Sequence, residues 1–362
     1  MRQYKALTLT SILLLTILLL TACQGILPPV QDSDPPAEAA LTATVTDFNG
    51  NQVSIRQPVE RIVTIYGLAA QMAYLLGEGE KVVGGTKLVL HDDFITFIDP
   101  AAKERIVLAG DPRGANAEEI KKLDADVVFT AKWGDAQVNQ QIESLGVPVV
   151  TLDLESVENY IKGLNMMGTA LGQEGKAQEA SIYYTQEAAQ ITDRTAKLGE
   201  EEKPRVLFLE YSLRKKAFKV PGSDYFQNIL VEMAGGKSVS KELKGGWNIV
   251  NVEQVAKWDP DMIIVVTYKT DYSSSKVKED ILNDPVWRQL RAVQADAVYA
   301  MPNDGESWDY PAPKWILGLS WTAKVVQPEL FEDLDLHQQA DDFYQRFFNV
   351  RLDDVQIVGD WD

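Results

Sequence analysis

Residues 118–133 read EEIKKLDADVVFTAKW and residues 253–268 read EQVAKWDPDMIIVVTY, and the two stretches align without a gap. In each, an amphipathic helical segment ends at an acidic turn, Asp124-Ala125-Asp126 or Asp259-Pro260-Asp261. A run of buried-type strand residues follows and leads to an aromatic side chain. RIVTIY (residues 61–66) and RVLFLEY (residues 205–211) make a looser second pair in the same order. Two pairs in one order predict two similar lobes built from the same supersecondary unit.

Strand-like and helix-like runs alternate through both halves, which predicts α/β layers. RIVTIYG, KVVGGT, DVVFTAKW and VPVVTLD supply a first lobe over residues 42–154, and RVLFLEYS opens a second over residues 204–362. Between them, residues 156–198 are rich in Ala, Glu, Gln and Lys and free of proline. Gly168, Gly172 and Gly175 break that stretch into a helix ending near Leu171 and a longer one from about Lys176 to Leu198. The expected fold is therefore two Rossmann-like α/β lobes with mostly parallel sheets, joined by one long connecting helix within residues 155–203.

The amino end carries a different message. Arg2 and Lys5 precede an apolar run from Leu7 to Leu20 that is short for a membrane span. It closes in Leu20-Thr21-Ala22-Cys23, which resembles the lipobox of bacterial lipoproteins. The resemblance implies a signal peptide over residues 1–22 and lipid on Cys23, the chain's single cysteine. Gln24 to Ala40 holds two Pro-Pro pairs and few large apolar residues, so residues 23–41 read as an extended tether. One cysteine excludes an internal disulfide, so the body depends on its core. The formal charge of −18 becomes −20 without Arg2 and Lys5. Such a surface argues against nucleic acid as a partner, and it leaves lipid as the expected membrane attachment.

RIVTIYGLAAQMAYLLGEGEKVVGGT resembles the opening of the substrate-binding proteins of ABC importers for iron chelates and vitamin B12. ANAEEIKKLDADVVF, NVEQVAKWDPDMIIV, LVEMAGGKS and the tail beginning WILGLSWTAKVV are similar to further segments of that family, in family order. The resemblance implies two α/β lobes that close by small hinge motions on a ligand, a monomer delivering it to a membrane permease with its ATPase, and an extracytoplasmic location. It also implies outward glutamates that meet the permease. Glu232 matches in the second lobe; in the first, the matching position is Gln71, a departure.

Ligands of open α/β sheets sit beyond the carboxyl ends of the strands. Those ends place Tyr66, Lys87, Lys132 and Trp133 in the first lobe. In the second they place Tyr211, Arg214, Tyr268, Lys269, Trp308 and Tyr310, with Trp247 in the Gly-rich loop KGGWN resembling a family cleft position. Aromatic faces with Lys and Arg suit a flat ligand bearing negative groups. The expected ligand is a siderophore-type iron chelate, with corrinoid, haem or an oxyanion such as molybdate as alternatives; no cofactor is expected. A tyrosine such as Tyr66 or Tyr211 could ligate ferric iron as phenolate. The two histidines, His91 and His337, have no metal-ligand spacing. No GxSxG elbow or P-loop is present, and GEGEKVVGG follows a helix instead of opening one, so an enzyme is not expected. A surface receptor without a transport role is the other alternative. Cys23→Ser is expected to abolish incorporation of an alkyne fatty acid in growing cells and to move the protein from the membrane to the soluble fraction; unchanged labelling would rule out lipid on this residue.

Overall fold

The computed structural model describes residues 41–212, 215–268 and 272–361. Strands β1 (Thr42–Thr46) and β2 (Gln52–Arg56) form an antiparallel hairpin. Asp47 shapes its turn, Oδ1 accepting from the backbone N–H groups of Asn49 (2.9 Å) and Asn51 (2.8 Å). Strands β3 (Ile62–Thr64), β4 (Val82–Gly85), β5 (Val107–Leu108), β6 (Val127–Ala131) and β7 (Val149–Leu152) then make a sheet of order β5-β4-β3-β6-β7. Every pairing in it is parallel. β6 and β7 are buried along their whole length, which is why their sequences are apolar on both faces, broken only by Thr130 and Thr151, and show no alternation.

The second sheet is mixed. β8 (Arg205–Ser212), β9 (Ala217–Pro221), β10 (Lys237–Ser238), β11 (Trp247–Val250), β12 (Met262–Val266) and β13 (Val298–Ala300) take the order β11-β9-β8-β12-β13, with β10 beside the start of β8. β8, β10, β12 and β13 run parallel, whereas β9 is antiparallel to both β8 and β11. The sheets are mostly parallel, as expected, and β9 is the exception in direction: AFKVP turns straight back on β8, too soon for a crossover helix.

The repeat in the sequence is a repeat of hydrogen bonds. Asn116 and Asn251 cap the two matching helices, Ala117–Lys122 and Val252–Trp258, each side chain accepting from the first turn. Asp124 and Asp259 both adopt left-handed backbone, at φ 49° and 43°. Asp126 Oδ2 accepts from Arg61 N at 2.9 Å, and Asp261 Oδ2 from Arg205 N at 2.7 Å. Arg61 and Arg205 return the favour, each guanidinium donating at 2.6 Å to the last carbonyls of the matching helix, Leu123 and Trp258. One clamp thus registers β3 against β6 and β8 against β12.

Two helices carry the chain from the first sheet to the second. Val157–Leu171 ends at Gly172 in left-handed backbone (φ 68°). Glu174–Thr195, 22 residues and about 33 Å long, stops three residues short of the expected Leu198. Within it, Tyr184 stacks on Trp315 of helix Trp315–Val326 (5.4 Å, 15°) and meets Tyr160 edge-on (5.2 Å, 77°). Its hydroxyl donates to the Pro313 carbonyl at 2.7 Å. Trp315 in turn packs edge-on against Phe226 of helix Phe226–Met233 (5.6 Å). The last helix, Leu336–Phe348, returns to the first sheet's side, where Phe348 meets Phe94 at 5.0 Å. One core cluster therefore includes Ile62 and Phe129 of the first sheet with Phe208 and Ile264 of the second, and Leu41–Asp362 form one compact unit. Trp315→Ala is expected to cost about 3–5 kcal/mol of unfolding free energy in a single transition, measured by denaturant titration, whereas Ile182→Ala, exposed on the connecting helix, should cost no more than about 0.5 kcal/mol.

Candidate functional site

Two walls of aromatic side chains stand at the carboxyl ends of the sheets. In the first, Tyr66 closes β3 and precedes helix Gly67–Leu75. A Cβ on Gly67 would lie 2.8 Å from Leu88 Cδ2 and 2.9 Å from Thr86 Oγ1, so glycine lets the start of this helix approach the loop after β4 closely. The Trp133 ring stands edge-on to Tyr66 at 5.9 Å. Asp135 N donates to the Pro112 carbonyl at 2.8 Å, locking the loops after β5 and β6 together. That contact sets the Arg113 guanidinium 4.7 Å over the Trp133 ring.

The second wall is a chain of rings. Tyr225 meets Trp247 at 5.7 Å, Trp247 meets Tyr268 at 5.7 Å, and Tyr268 stacks on Tyr310 at 4.5 Å. Gly222 N donates to the Gly246 carbonyl at 2.9 Å, and Asn228 Nδ2 donates to the Pro221 and Gly222 carbonyls at 3.1 and 2.7 Å. These bonds hold Tyr225 beside the start of β11. Behind the rings, buried Asp309 accepts from Tyr268 Oη (2.6 Å), Gln227 Nε2 (3.0 Å) and Ser307 Oγ. Burial still raises its carboxyl above the ordinary range against those donors.

The two walls share one electrostatic environment. Burial raises the Tyr225 phenol first, Glu155 raises it further and Arg113 lowers it, so charges at the first sheet's strand ends are felt at the second wall. Tyr66 is likewise pushed up, by burial, then by Glu155, Asp153 and, below it, Glu306. It is held as a phenol, which disfavours the phenolate expected for direct iron ligation. Glu155 itself is pushed up to about 7 by burial and by Asp153. Lys132 pairs with Asp153 at 3.4 Å, and Lys219 pairs with Glu210 while its Nζ lies 5.3 Å from the Trp247 ring.

The structure brings Tyr66, Trp133 and Lys132 together at one edge, and Trp247, Tyr268 and Tyr310 at the other. Lys87 is exposed at the start of the short helix Lys87–Leu90 after β4. Two expectations need correction. Tyr211 points to the opposite face of the second sheet, where it lines a separate pocket with Phe218, Tyr272 and Trp287; its neighbour Glu210 faces the rings instead, because strand residues alternate. Trp308 is fully buried, edge-on to Trp361 at 5.0 Å, and is a core side chain. Cys23, Arg214 and Lys269 lie outside the described residues.

Gln71 is not outward either. It is buried, with Nε2 donating to Asp92 Oδ2 at 2.7 Å, so it cannot be the first lobe's surface contact. Glu232 is exposed and pairs with Lys241 at 2.9 Å. His91 ends the helix Lys87–Leu90, and His337 packs on Trp361 at 4.5 Å. Among the described residues no three His, Cys, Asp or Glu side chains are grouped to hold a metal, and no helix is long and apolar enough to cross a membrane.

Arg113, Glu155, Tyr225, Lys219 and Glu210 were not marked by the sequence. Looking past the end of VPVVTLDLE, as for the other strands, would have found Glu155. Arg113 in GDPRGAN and Tyr225 in SDYF offered no local signal, since both reach the site through loop-to-loop bonds.

The profile of the periplasmic binding protein family matches residues 62–304. The chain belongs to that family. The molybdate-binding protein MolA of Haemophilus influenzae is 25% identical over 332 residues, covering 84% of this chain and 91% of that protein. The ABC transporter substrate-binding lipoprotein YvrC of Bacillus subtilis is 25% identical over 328 residues, with 89% and 97% covered. Among solved structures, a periplasmic solute-binding protein of Veillonella parvula superposes with a TM-score of 0.75 at 25% identity, covering 86% of this chain and 94% of that one. Molybdate-bound MolA also gives 0.75, at 23% identity with 85% and 98% covered. As a periplasmic binding protein the chain is an extracytoplasmic solute-binding protein with the two-lobed fold of its relatives, and the relatives are binders, not catalysts.

A buried polar cluster underlies the cleft of this periplasmic binding protein. Lys314 Nζ donates to Asp304 Oδ1 at 2.7 Å, and Tyr344 Oη donates to Asp304 Oδ2 at 2.5 Å. Glu306, 3% exposed, has neither carboxyl oxygen hydrogen-bonded, and Gln71 Oε1 beside it is unpartnered too. Burial raises the Glu306 carboxyl well above the ordinary range; Lys314 opposes, and Asp92 and Asp304 add to the rise. A neutral Glu306 has an O–H to donate, and the Gln71 oxygen is the acceptor available. The folded state then binds more protons than the unfolded chain above pH about 4.5, so this group's contribution falls as pH rises toward its folded pKa. Glu306→Gln is expected to remove that slope. Its stability advantage over the wild type, read from urea unfolding, should widen between about pH 5 and pH 8 by at most about 1.4 kcal/mol per pH unit; a gap constant with pH would place an ionised carboxylate at Glu306.

Proposed function

We propose that this protein is the binding component of an ABC importer, that its cleft takes up a siderophore-type iron chelate, and that lipid on Cys23 keeps it beside its permease. The observation that carries the ligand class is the set of six rings at the strand ends, Tyr66 and Trp133 on one wall and Tyr225, Trp247, Tyr268 and Tyr310 on the other, with the guanidinium of Arg113 over Trp133 and in no ion pair among the described residues. Flat apolar area of this kind gains most from a planar or multi-ring ligand, and Arg113 supplies a bidentate donor for its anionic groups. A neutral Tyr66 phenol favours a metal that arrives already chelated.

A second reading is an oxyanion. Its support is the likeness to MolA, whose name specifies molybdate. A tetrahedral oxyanion wants several converging N–H donors, and stacked phenol rings offer few. Glu232, exposed on helix Phe226–Met233, is the proposed permease contact of the second lobe. Confinement by a lipid raises the effective concentration of a binding protein at its transporter without a new contact.

Tryptophan fluorescence of the full-length protein in detergent should respond to a ferric tris-catecholate or tris-hydroxamate at micromolar concentration, and cobalamin, haemin and molybdate serve as comparisons. Trp247→Ala, which removes a half-buried ring, should weaken chelate binding about tenfold or more with little change in melting temperature. Saturable binding of molybdate alone would replace the chelate reading with the oxyanion one.

A further inference from the structure

The second sheet has an aromatic face turned away from the cleft. Tyr211 of β8 and Phe218 of β9 are cross-strand partners, so their side chains leave the sheet together, opposite the neighbouring Glu210 and Lys219 pair. Tyr272 meets Tyr211 at 5.5 Å and 43°, Tyr211 meets Phe218 at 5.1 Å and 54°, and Phe218 meets Trp287 at 4.8 Å and 57°. Rings tilted in succession by such angles form a curved wall.

Helix Ser274–Asn283 closes the other side, presenting Val277, Asp280, Ile281 and its C-cap Asp284 on one face. Between helix and wall lies a cavity of about 190 Å³, lined by the four rings and these four side chains. Pockets for drug-sized ligands start at roughly 300 Å³, so this cavity suits a small solute. Trp287 is 6% exposed and packs as a core residue does, but Tyr211, Phe218 and Tyr272 are half-buried and leave part of their surface to the cavity.

Its charge has one sign. Asp280 and Asp284 are the charged groups that line it. Asp280 accepts from Tyr272 Oη and pairs with Lys276 at 3.1 Å. Asp284 Oδ1 accepts from Val286 N at 2.8 Å and Trp287 N at 3.1 Å, and its other oxygen has no partner among the described residues. Elsewhere Arg113, Lys219 and Lys314 lie over rings, but among the described residues no basic side chain lies over any of these four. Ring faces carry negative potential and attract a cation, above all one that gives up its water readily. A primary ammonium is strongly hydrated and brings three N–H donors that rings satisfy poorly. A quaternary ammonium makes neither demand.

The geometry points to a second binding site on this face, an aromatic cage for a small quaternary ammonium solute, with Asp284 supplying counter-charge at its rim. Tyr211 and Glu210 leave β8 on opposite faces, so the cage is separate from the cleft and does not depend on the identity of the cleft's ligand. Two rim carboxylates repel a phosphodiester next to the ammonium, which favours a free solute over a lipid head group.

Isothermal titration of the full-length protein in a maltoside detergent compares choline with its neutral isostere, in which carbon replaces the nitrogen. Choline should bind at least about tenfold more tightly, and glycerophosphocholine more weakly than choline. Phe218→Leu keeps apolar volume but removes a ring face, and should bring the ratio of choline to isostere near one. Asp284→Asn retains an oxygen to accept from Val286 and Trp287. It should weaken choline about threefold without changing the isostere or the melting temperature, so the test survives if Phe218→Leu fails to fold. Equal binding of choline and isostere by the wild type, or binding of neither, overturns the cage. Loss of choline binding in Trp247→Ala with Phe218→Leu unaffected also overturns it, by placing the cation among the cleft's rings. Glycerophosphocholine bound more tightly than choline, with the same dependence on Phe218, would keep the cage and make a lipid head group its occupant.

Discussion

Tyr184 holds the molecule together in a literal sense. It lies midway along the connecting helix, stacks on Trp315, meets Tyr160 edge-on and donates its hydroxyl to the chain at Pro313. Tyr160 belongs to the helix that leaves the first sheet, Trp315 touches Phe226 of the second, and Phe347 stacks on Tyr184 from the last helix (6.5 Å, 5°). Aromatic clusters of this kind combine large buried area with fixed geometry. The consequence is a junction in which one face of each sheet shares a single core cluster, while the opposite faces keep clusters of their own. Such a junction resists large rearrangement, since packed interiors deform little.

Given that join, the cleft follows from the duplicated clamp. Each Arg–Asp pair fixes one strand against its neighbour, so that the carboxyl ends of β3 and β6 come level in one sheet and those of β8 and β12 in the other. Tyr66 and Trp133 stand at the first pair of ends, and Glu210 and Tyr268 at the second. Bonds between loops then bring in the rest: Pro112 accepting from Asp135 positions Arg113, and Gly222 donating to Gly246, with Asn228 bracing the same turn, positions Tyr225. The rigid part of the site is made by strands and its selective part by loops, as is common where a scaffold holds variable binding groups.

This division explains what was legible beforehand. The repeat, the strands and the long helix rest on periodicity and composition, which act locally, so the fold could be read from residues 118–133 and 253–268. Tyr66, Trp133 and Tyr268 could be named because a strand end is a place in the sequence. Tyr211 failed by one residue: along β8 the side chains alternate, and Glu210 took the inward position. Trp308 failed because the loop after β13 folds into the interior, where Glu306, Trp308 and Asp309 are all buried, and no pattern in GESWDYP marks that descent. The short strand β9 had no signal of its own, since AFKVP is five residues with a charge in the middle. Arg113 and Tyr225 depend on bonds between loops far apart in the chain, which only the folded molecule displays.

The charge of the chain sharpens what the cleft must do. With 53 acidic and 35 basic residues, the surface as a whole repels an anion rather than steering it. At physiological salt that repulsion is screened beyond about 8 Å, so an anionic ligand is recognised only where it touches. The cleft meets this condition locally. It cancels two of its lysines against carboxylates, sets Arg113 over a ring with no ion pair among the described residues, and surrounds the space with aromatic faces that attract without charge. The field of Glu306 reaches Tyr66 and Tyr310, one on each wall. An ionised Glu306 would place a negative charge under both walls. Burial favours its neutral form, so the floor beneath the walls does not oppose the anionic ligand proposed for Arg113.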